Sequence, residues 1–164
     1  MFRVSREIHF CYGHRLLNYD GKCRYLHGHN GRAVITLEAS HLDELGMVVD
    51  FTRIKQVVQT WIDEHLDHKM LLHRDDPLLP YLRQQGEPVV VVDFNPTAEN
   101  IARLIFEYAA GQGFPVVEVQ LWETETCFAS YRGSREGIAV DEPGFPAGEA
   151  LKTERFGKNQ RFPA

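Results

Sequence analysis

Three histidines near the N-terminus have the spacing of metal ligands. His27 and His29 are separated by one residue, and in an extended backbone residues i and i+2 point to the same face, so the two imidazoles converge. His14 lies at the end of a first predicted strand, and pairing of that strand with the next as a hairpin would place it across from them. Three neutral imidazoles that leave a fourth position open are typical of a catalytic zinc site. The sequence therefore predicts Zn²⁺ here.

A cysteine lies shortly before the His-x-His pair and between two cations. Lys22 and Arg24 flank Cys23, and both neighbouring positive charge and a nearby metal favour a thiolate. Two roles stay open for this thiol. It is either a fourth zinc ligand, which would make the site structural, or an acid/base group beside the metal. Cys11 and Cys127 lie in strand-like contexts, and we expect them to be buried, inert thiols.

Two carboxylates further along the chain have interpretations both inside and outside an active site. Asp67 can raise the basicity of the adjacent His68 and hold its tautomer, as a proton relay requires. The same dipeptide is common where a helix ends, because the histidine then interacts with the helix dipole. Glu123 ends a predicted strand, where it either accepts two hydrogen bonds from an amidine-like ring edge or lies at the surface.

Residues 14–32 form a basic segment on a chain of net charge −5. Four basic residues stand against one acidic residue there, so an anionic substrate group such as a phosphate is one interpretation. A solvated polar loop is the other. The basic residues are Arg15, Lys22, Arg24 and Arg32.

The elements that must position these residues form an α+β pattern. Strands are predicted, from β-branched content and alternation, over 2–10, 33–39, 89–92, 116–122 and 127–131. One helix is predicted to begin after an N-cap at Asp50 and to end near 65–68, and another to run from Pro96 to Gly111 or Gly113. Residues 75–86 are predicted to be a loop. Hairpins before and after two helices indicate an antiparallel sheet with helices on one face.

Length and composition exclude several classes of protein. A chain of 164 residues fits one domain. No basic run typical of nucleic-acid binders and no apolar stretch of membrane-spanning length is present, so we expect neither nucleic acid nor a membrane as a partner. The N-terminus lacks a signal-peptide core. Three cysteines are too few for a disulfide framework and favour a reducing, cytoplasmic setting.

Six short segments, in this order, resemble the 6-pyruvoyl-tetrahydropterin synthase and 6-carboxytetrahydropterin synthase family. The resemblance covers roughly residues 1–132, and we predict an extended or disordered tail over 133–164. The segments are FCYGHRL (10–16), GKCRYLHGHN (21–30), GMVVDF (46–51), LDH (66–68), PTAEN (96–100) and WET (122–124), with Tyr131 after them. The chain departs from the family pattern at Cys11-Tyr12-Gly13, where small residues are usual, and at Gly31, where an aromatic residue is common.

The resemblance implies a fold and an assembly. The fold is a T-fold, a four-stranded antiparallel sheet backed by two helices on one face. Three subunits of this family form a twelve-stranded barrel, so we expect a homo-oligomer, either a trimer or a hexamer made of two trimers. The active sites of the family lie between subunits.

The resemblance also implies a role for each matching residue. The zinc ligands would be His14, His27 and His29. The proton-transfer set would be Cys23, Asp67 and His68. The pterin would be held by Glu123 at its 2-amino and N3 edge, with Thr97 and Glu99 near the ring pocket of a neighbouring subunit. We add the hypothesis that the basic segment, with Arg15 and Lys22, helps to hold the triphosphate.

The implied activity is that of a zinc-dependent carbon–oxygen or carbon–carbon lyase acting on 7,8-dihydroneopterin triphosphate. The compact spacing from Cys23 to His27 favours 6-carboxy-5,6,7,8-tetrahydropterin as the product, with release of acetaldehyde and triphosphate, for queuosine and other deazapurines. The alternative is triphosphate elimination to the 6-pyruvoyl product of the biopterin pathway. Two other classes stay open: a non-catalytic protein stabilised by a closed Cys-His₃ zinc site, and a zinc hydrolase that uses a metal-bound water.

Overall fold

A computed structural model of the chain describes residues 1–133, which form an α+β fold. The predicted tail, 133–164, lies outside these residues except for Gly133. The strands are β1 (Phe2–His14), β2 (His27–Ala39), β3 (Lys69–His73), β4 (Val89–Val92), β5 (Val116–Trp122) and β6 (Phe128–Tyr131). The helices are α1 (Phe51–Ile54), α2 (Thr60–His65), α3 (Leu79–Gln84) and α4 (Ala98–Gly111), with a π-helical segment over Lys55–Gln59 and a 3₁₀ turn over Lys22–Arg24.

The strands form one mixed sheet in the order β4-β3-β1-β2-β5-β6. The predicted antiparallel part is confirmed, because β1 pairs with β2, β2 with β5, and β5 with β6 in antiparallel fashion. The predicted strand at 89–92 is confirmed as β4. The four-stranded sheet that the resemblance implied was too small, since β3 and β4 add to the other side of β1 in parallel. The sequence did not reveal β3 because two adjacent residues of this strand, Leu71 and Leu72, are both fully buried. The strand therefore lacks the two-residue alternation of a half-exposed strand.

A single helical run leads from Asp50 to the Asp67-His68 pair. The predicted N-cap is confirmed, because the Asp50 carboxylate accepts a hydrogen bond from the Thr52 N–H at 2.7 Å. The run passes through α1, the π-helical segment and α2 before it ends at Leu66, whose backbone N–H bonds to the Ile62 carbonyl. The expected loop at 75–86 was wrong in part, since it contains the six-residue helix α3, which is too short to show an apolar period.

Helix α4 confirms the second predicted helix. The Thr97 hydroxyl accepts from the Asn100 N–H at 3.4 Å at its start, and Glu99 lies in the first turn, where a negative charge is favourable. The apolar face that contains Ile101 and Ile105 is fully buried. No helix in the described part of the chain is long and apolar enough to span a membrane.

The core lies between the helices and one face of the sheet, which confirms that the helices cover a single face. Strand β1 alternates along its length, so that Ile8, Phe10, Tyr12 and His14 are buried on the core side. The last two of these residues therefore bring a phenol and an imidazole to the end of the core. That end of the sheet carries the candidate site.

Candidate active site

The antiparallel register of β1 and β2 brings the three predicted metal ligands together. His14 pairs with His27, and Tyr12 pairs with His29 two residues along, so all three imidazoles lie on the same face of the hairpin. The ring centroids are 4.4 to 5.2 Å apart. One ring nitrogen from each histidine lies within 4.8 Å of the other two, a separation that a single metal ion can bridge.

Backbone carbonyls fix which ring nitrogens face inward. The Nδ1 atom of His14 lies 2.6 Å from the Pro96 carbonyl oxygen, and that of His27 lies 2.7 Å from the Tyr25 carbonyl oxygen. Because a carbonyl only accepts, each Nδ1 carries the proton and each Nε2 keeps a lone pair. Hydrogen bonds of this kind orient metal-bound histidines in proteins.

Two of the Nε2 atoms that face into the cluster lack hydrogen-bond partners among the described residues, and a cation would satisfy them. Nε2 of His14 and Nε2 of His29 are buried and have no hydrogen-bond partner within residues 1–133, whereas buried polar atoms are nearly always satisfied. Burial lowers the pKa of His14 although the Pro96 carbonyl opposes this, so the imidazole is neutral. The cluster fits a divalent metal such as Zn²⁺, which takes neutral imidazoles as ligands.

Glu123, at the end of β5, reaches into this cluster. Its Oε1 atom lies 3.8 Å from His14 Nε2 and 3.9 Å from His29 Nε2. The same oxygen accepts a hydrogen bond of 2.8 Å from the Tyr12 hydroxyl. A carboxylate therefore borders the metal position, and the interpretation of Glu123 as a residue directed only to the surface does not fit the structure.

Asp67 and His68 form a second group, on the other side of β1. The Asp67 carboxylate accepts from His68 Nδ1 at 2.7 Å and from the Cys11 backbone N–H at 2.7 Å. Burial alone would raise the pKa of Asp67, but these hydrogen bonds outweigh it and hold the pKa below its ordinary value. The result is an ionised carboxylate on an exposed imidazole, the pairing expected of a proton relay.

Cys11 belongs to this second group, although no role was predicted for it. Its thiol lies close to the ligand atoms of Asp67 and His68 and 3.1 Å from the Asn30 side-chain oxygen. The thiol is only half-buried, because odd-numbered residues of β1 point away from the core. The expectation of a buried thiol was also wrong for Cys127, which is exposed in the turn before β6.

Cys23 lies apart from both groups within one chain. It sits in the 3₁₀ turn between β1 and β2, and its carbonyl accepts from the Leu16 N–H at 2.8 Å. Among the described residues it joins neither the three-histidine cluster nor the Asp67-His68 group. The closed Cys-His₃ site therefore finds no support in the geometry.

One residue of the basic segment 14–32, Arg15, forms an ion pair within the chain. The Arg15 guanidinium bonds to both carboxylate oxygens of the buried Asp76, at 2.7 Å each, and reaches the Arg24 carbonyl at 3.5 Å. Lys22 is exposed on the 3₁₀ turn. Arg15 and Arg24 line a cavity of about 520 Å³, together with Asp20 and the residues between Arg15 and Asp20.

A second cavity, of about 450 Å³, borders both chemical groups. His27 and His29 line it from the three-histidine cluster, and Cys11 and His68 line it from the Asp67-His68 group. Thr97 and Glu99 lie at the start of α4, directly after Pro96, whose carbonyl holds His14. The cavity is thus the place in one chain where a small molecule would meet both groups.

Two residues that make contacts in the site, Tyr12 and Asp76, were not predicted from the sequence, for different reasons. Tyr12 lies two residues before His14, so strand alternation was a signal that its ring shares the histidine face. Asp76 carried no such signal, because its partner Arg15 is remote in sequence and the two meet only when the loop after β3 folds against the end of β1.

Comparison with known proteins assigns the chain to a family. The family model of 6-pyruvoyl tetrahydropterin synthase matches residues 3–134, and the chain belongs to this family of tetrahydropterin synthases. The 6-carboxy-5,6,7,8-tetrahydropterin synthase of Rickettsia felis is 39% identical over 135 residues, which cover 78% of this chain and 98% of that protein. The protein of the same name from Haemophilus influenzae is 31% identical, over 80% and 99% of the two chains.

Solved structures show the same fold. An uncharacterized protein from Wolinella succinogenes superposes with a TM-score of 0.67 at 30% identity, over 81% of this chain and 98% of that one. The 6-pyruvoyl tetrahydropterin synthase of Caenorhabditis elegans superposes with a TM-score of 0.62 at 23% identity, over 81% and 96%. The predicted T-fold is therefore confirmed.

Proposed function

We propose that the chain is a zinc-dependent lyase that converts 7,8-dihydroneopterin triphosphate and one water to 6-carboxy-5,6,7,8-tetrahydropterin, with release of acetaldehyde and triphosphate. The observation that carries this proposal is a pair of buried Nε2 atoms, on His14 and His29, that lie beside the Glu123 carboxylate and have no hydrogen-bond partner among residues 1–133. The choice of product is supported by the two relatives that bear this product in their names.

In this proposal His14, His27 and His29 hold Zn²⁺ through Nε2. The metal supplies Lewis-acid polarisation of the oxygens on the substrate side chain, which lowers the pKa of the neighbouring carbon-bound protons. The chain's own contribution is to orient the His14 and His27 rings through the Pro96 and Tyr25 carbonyls. Burial lowers the pKa of His14 and so favours the neutral form of that imidazole.

The proton transfers are assigned to Cys23, Asp67 and His68. The Cys23 thiolate, beside Lys22 and Arg24, takes a proton from carbon, and the His68 imidazole, oriented by Asp67 at Nδ1, exchanges one at Nε2. Because Cys23 lies apart from the Asp67-His68 pair within one chain, we assign the two parts of one active site to neighbouring subunits of a trimer or a dimer of trimers.

The substrate is held at its two ends. Glu123 accepts hydrogen bonds from the 2-amino group and N3 of the pterin, with Thr97 and Glu99 lining the ring pocket of a neighbouring subunit. The triphosphate lies against the basic segment that includes Lys22, Arg15 and Arg24. Arg15 takes part through Nη1, the guanidinium nitrogen that does not bond to Asp76. The product would enter queuosine and deazapurine biosynthesis in the cytoplasm.

Product analysis tests this function directly. The full chain, loaded with Zn²⁺, is incubated with 7,8-dihydroneopterin triphosphate, and the pterin products are identified by mass while acetaldehyde is measured. The proposal requires a carboxy product and acetaldehyde in equal amounts. A 6-pyruvoyl product without acetaldehyde would assign the other branch of the family, and no consumption would refute both.

Two variants locate the chemistry. Cys23→Ala should stay folded and zinc-loaded and lose turnover about 10²-fold or more, as expected when a general acid/base is removed. Cys127→Ala removes an exposed thiol and serves as the matched control. Loss of zinc from Cys23→Ala would indicate a closed structural site. Ester or amide hydrolysis that survives the change would indicate a zinc hydrolase.

A further inference from the structure

The Tyr12 side chain lies beside the three-histidine cluster but is not one of the predicted metal ligands. Its relative exposure is 3%, and its ring centroid lies 5.3 Å from that of His14 and 5.8 Å from that of His29. Its hydroxyl makes one hydrogen bond of 2.8 Å, donated to Glu123 Oε1. The phenol therefore connects the carboxylate to the strand that carries the first histidine.

Glu123 lies where its carboxylate could become a fourth ligand of the metal. The oxygen that Tyr12 holds is nearly equidistant from two of the inward nitrogens, at 3.8 Å and 3.9 Å. Carboxylate oxygens are good zinc ligands, and three protein ligands plus one more make a closed, tetrahedral site. A small movement of this carboxylate toward the histidines would turn an open site into a closed one.

We propose that Tyr12 is a positioning residue whose hydroxyl holds the Glu123 carboxylate off the metal, so that the fourth position stays open to substrate. The hydrogen bond uses Oε1, the oxygen nearest the histidines, and leaves Oε2 for other partners. The identification of this substrate as a pterin rests on the proposed function. The role of Tyr12 in restraining the Glu123 carboxylate is independent of that function.

The phenol itself is firmly held in this place. Phe10 stacks on it with ring centroids 5.4 Å apart. On the facing strand, a Cβ atom at Gly31 would come within 2.9 Å of the Tyr12 ring carbon Cε1, so the ring fits only because residue 31 is glycine.

The test measures metal binding rather than turnover. Tyr12→Phe keeps the ring and removes the hydroxyl, so Glu123 is free to ligate the metal. We measure Zn²⁺ affinity of the full chain by competition with a chromophoric chelator, and the visible absorption of the Co²⁺-loaded protein. Tyr108→Phe, a ring stacked on Trp61 away from the site, is the matched control.

We expect Tyr12→Phe to bind Zn²⁺ about tenfold more tightly or better, within the range by which neighbours of metal ligands change affinity, and to shift the Co²⁺ spectrum. The double variant Tyr12→Phe/Glu123→Gln should return to the affinity of the Glu123→Gln single variant. Unchanged affinity and spectrum in Tyr12→Phe would overturn the proposal, as would a change that persists without Glu123.

Neither readout involves a pterin, so the outcome is separable from that of the proposed function. A protein that leaves 7,8-dihydroneopterin triphosphate unchanged but shows the tighter, Glu123-dependent metal binding would refute the function and support the role of Tyr12. A protein that makes the carboxy product but shows no change in metal binding would do the reverse.

Discussion

At the scale of single residues, His68 is held in a backbone conformation that few residues adopt. His68 has φ of +54°, in the left-handed region that costs an ordinary residue roughly 1–2 kcal/mol. Two bonds to one residue hold it there: the His68 N–H donates to the Cys11 carbonyl at 2.6 Å, and Asp67 accepts from the Cys11 N–H. Strain of this kind is characteristic of functional positions.

The ionised state of Asp67 predicts how stability depends on pH. Its pKa in the fold lies below the ordinary value of 3.8, because the Cys11 N–H and His68 outweigh the effect of burial. A depressed carboxyl pKa stabilises the fold above the unfolded value, and the contribution is lost as pH falls through the folded pKa. Asp67→Asn should therefore lose less unfolding free energy than the parent chain as the pH falls from about 5 through 3.8 and further into the acid range.

Urea unfolding of both proteins, stripped of metal by a chelator, measures this difference. The two curves of unfolding free energy against pH should converge toward the acid end. Parallel curves would mean that the carboxylate is not held ionised by its neighbours.

Some contacts of the site could be predicted from the sequence and others could not. Spacing alone placed His14, His27 and His29 together, because alternation and hairpin pairing are local rules. The Tyr12–Glu123 hydrogen bond was not predictable in the same way, because it requires β5 to lie next to β2, and such pairing over a long sequence separation leaves no periodic signal.

At the scale of elements, the β1–β2 hairpin determines the geometry of the site. Both strands are longer than predicted, since polar residues and glycines near the histidines hide the alternation that was visible over 2–10 and 33–39. Gly13 pairs with Gly28, between the histidines, and an added Cβ at Gly28 would lie 2.8 Å from the Tyr12 carbonyl oxygen. The two strands approach closely there because neither carries a side chain.

Gly28→Ala should therefore separate the strands at the metal site. We expect a loss of about 1–3 kcal/mol of unfolding free energy, as for other overpacking changes, and Zn²⁺ binding about tenfold weaker or worse. Gly111→Ala is the control, because an added Cβ on that helical residue meets nothing within 4 Å. Chemical unfolding and zinc competition measure both effects, and wild-type zinc affinity in Gly28→Ala would show that the close approach is dispensable.

At the scale of the whole molecule, the sheet of the described residues ends in two strands with open edges, β4 and β6. Unpaired strand edges readily pair with another chain, which is consistent with the proposed assembly into a barrel. One chain also separates Cys23 from the Asp67-His68 pair. An active site completed by a neighbouring subunit would account for both observations.

Mixing two inactive variants tests this assignment. Cys23→Ala and His68→Ala each remove one part of every site, but random assembly of equal amounts should restore about a quarter of the sites, those with intact parts from both subunits. Turnover of the unfolded and refolded mixture measures this recovery. If the mixture stays as inactive as its components although the oligomer forms, Cys23 and His68 act within one subunit.

Acetaldehyde release as a function of zinc occupancy tests the central claim most directly. The protein is stripped of metal, titrated with Zn²⁺ and supplied with 7,8-dihydroneopterin triphosphate at each step. We predict that release of acetaldehyde and of the carboxy product rises in proportion to bound zinc and reaches a plateau at one ion per chain. Equal turnover without metal, or no consumption of the substrate at full occupancy, would contradict it.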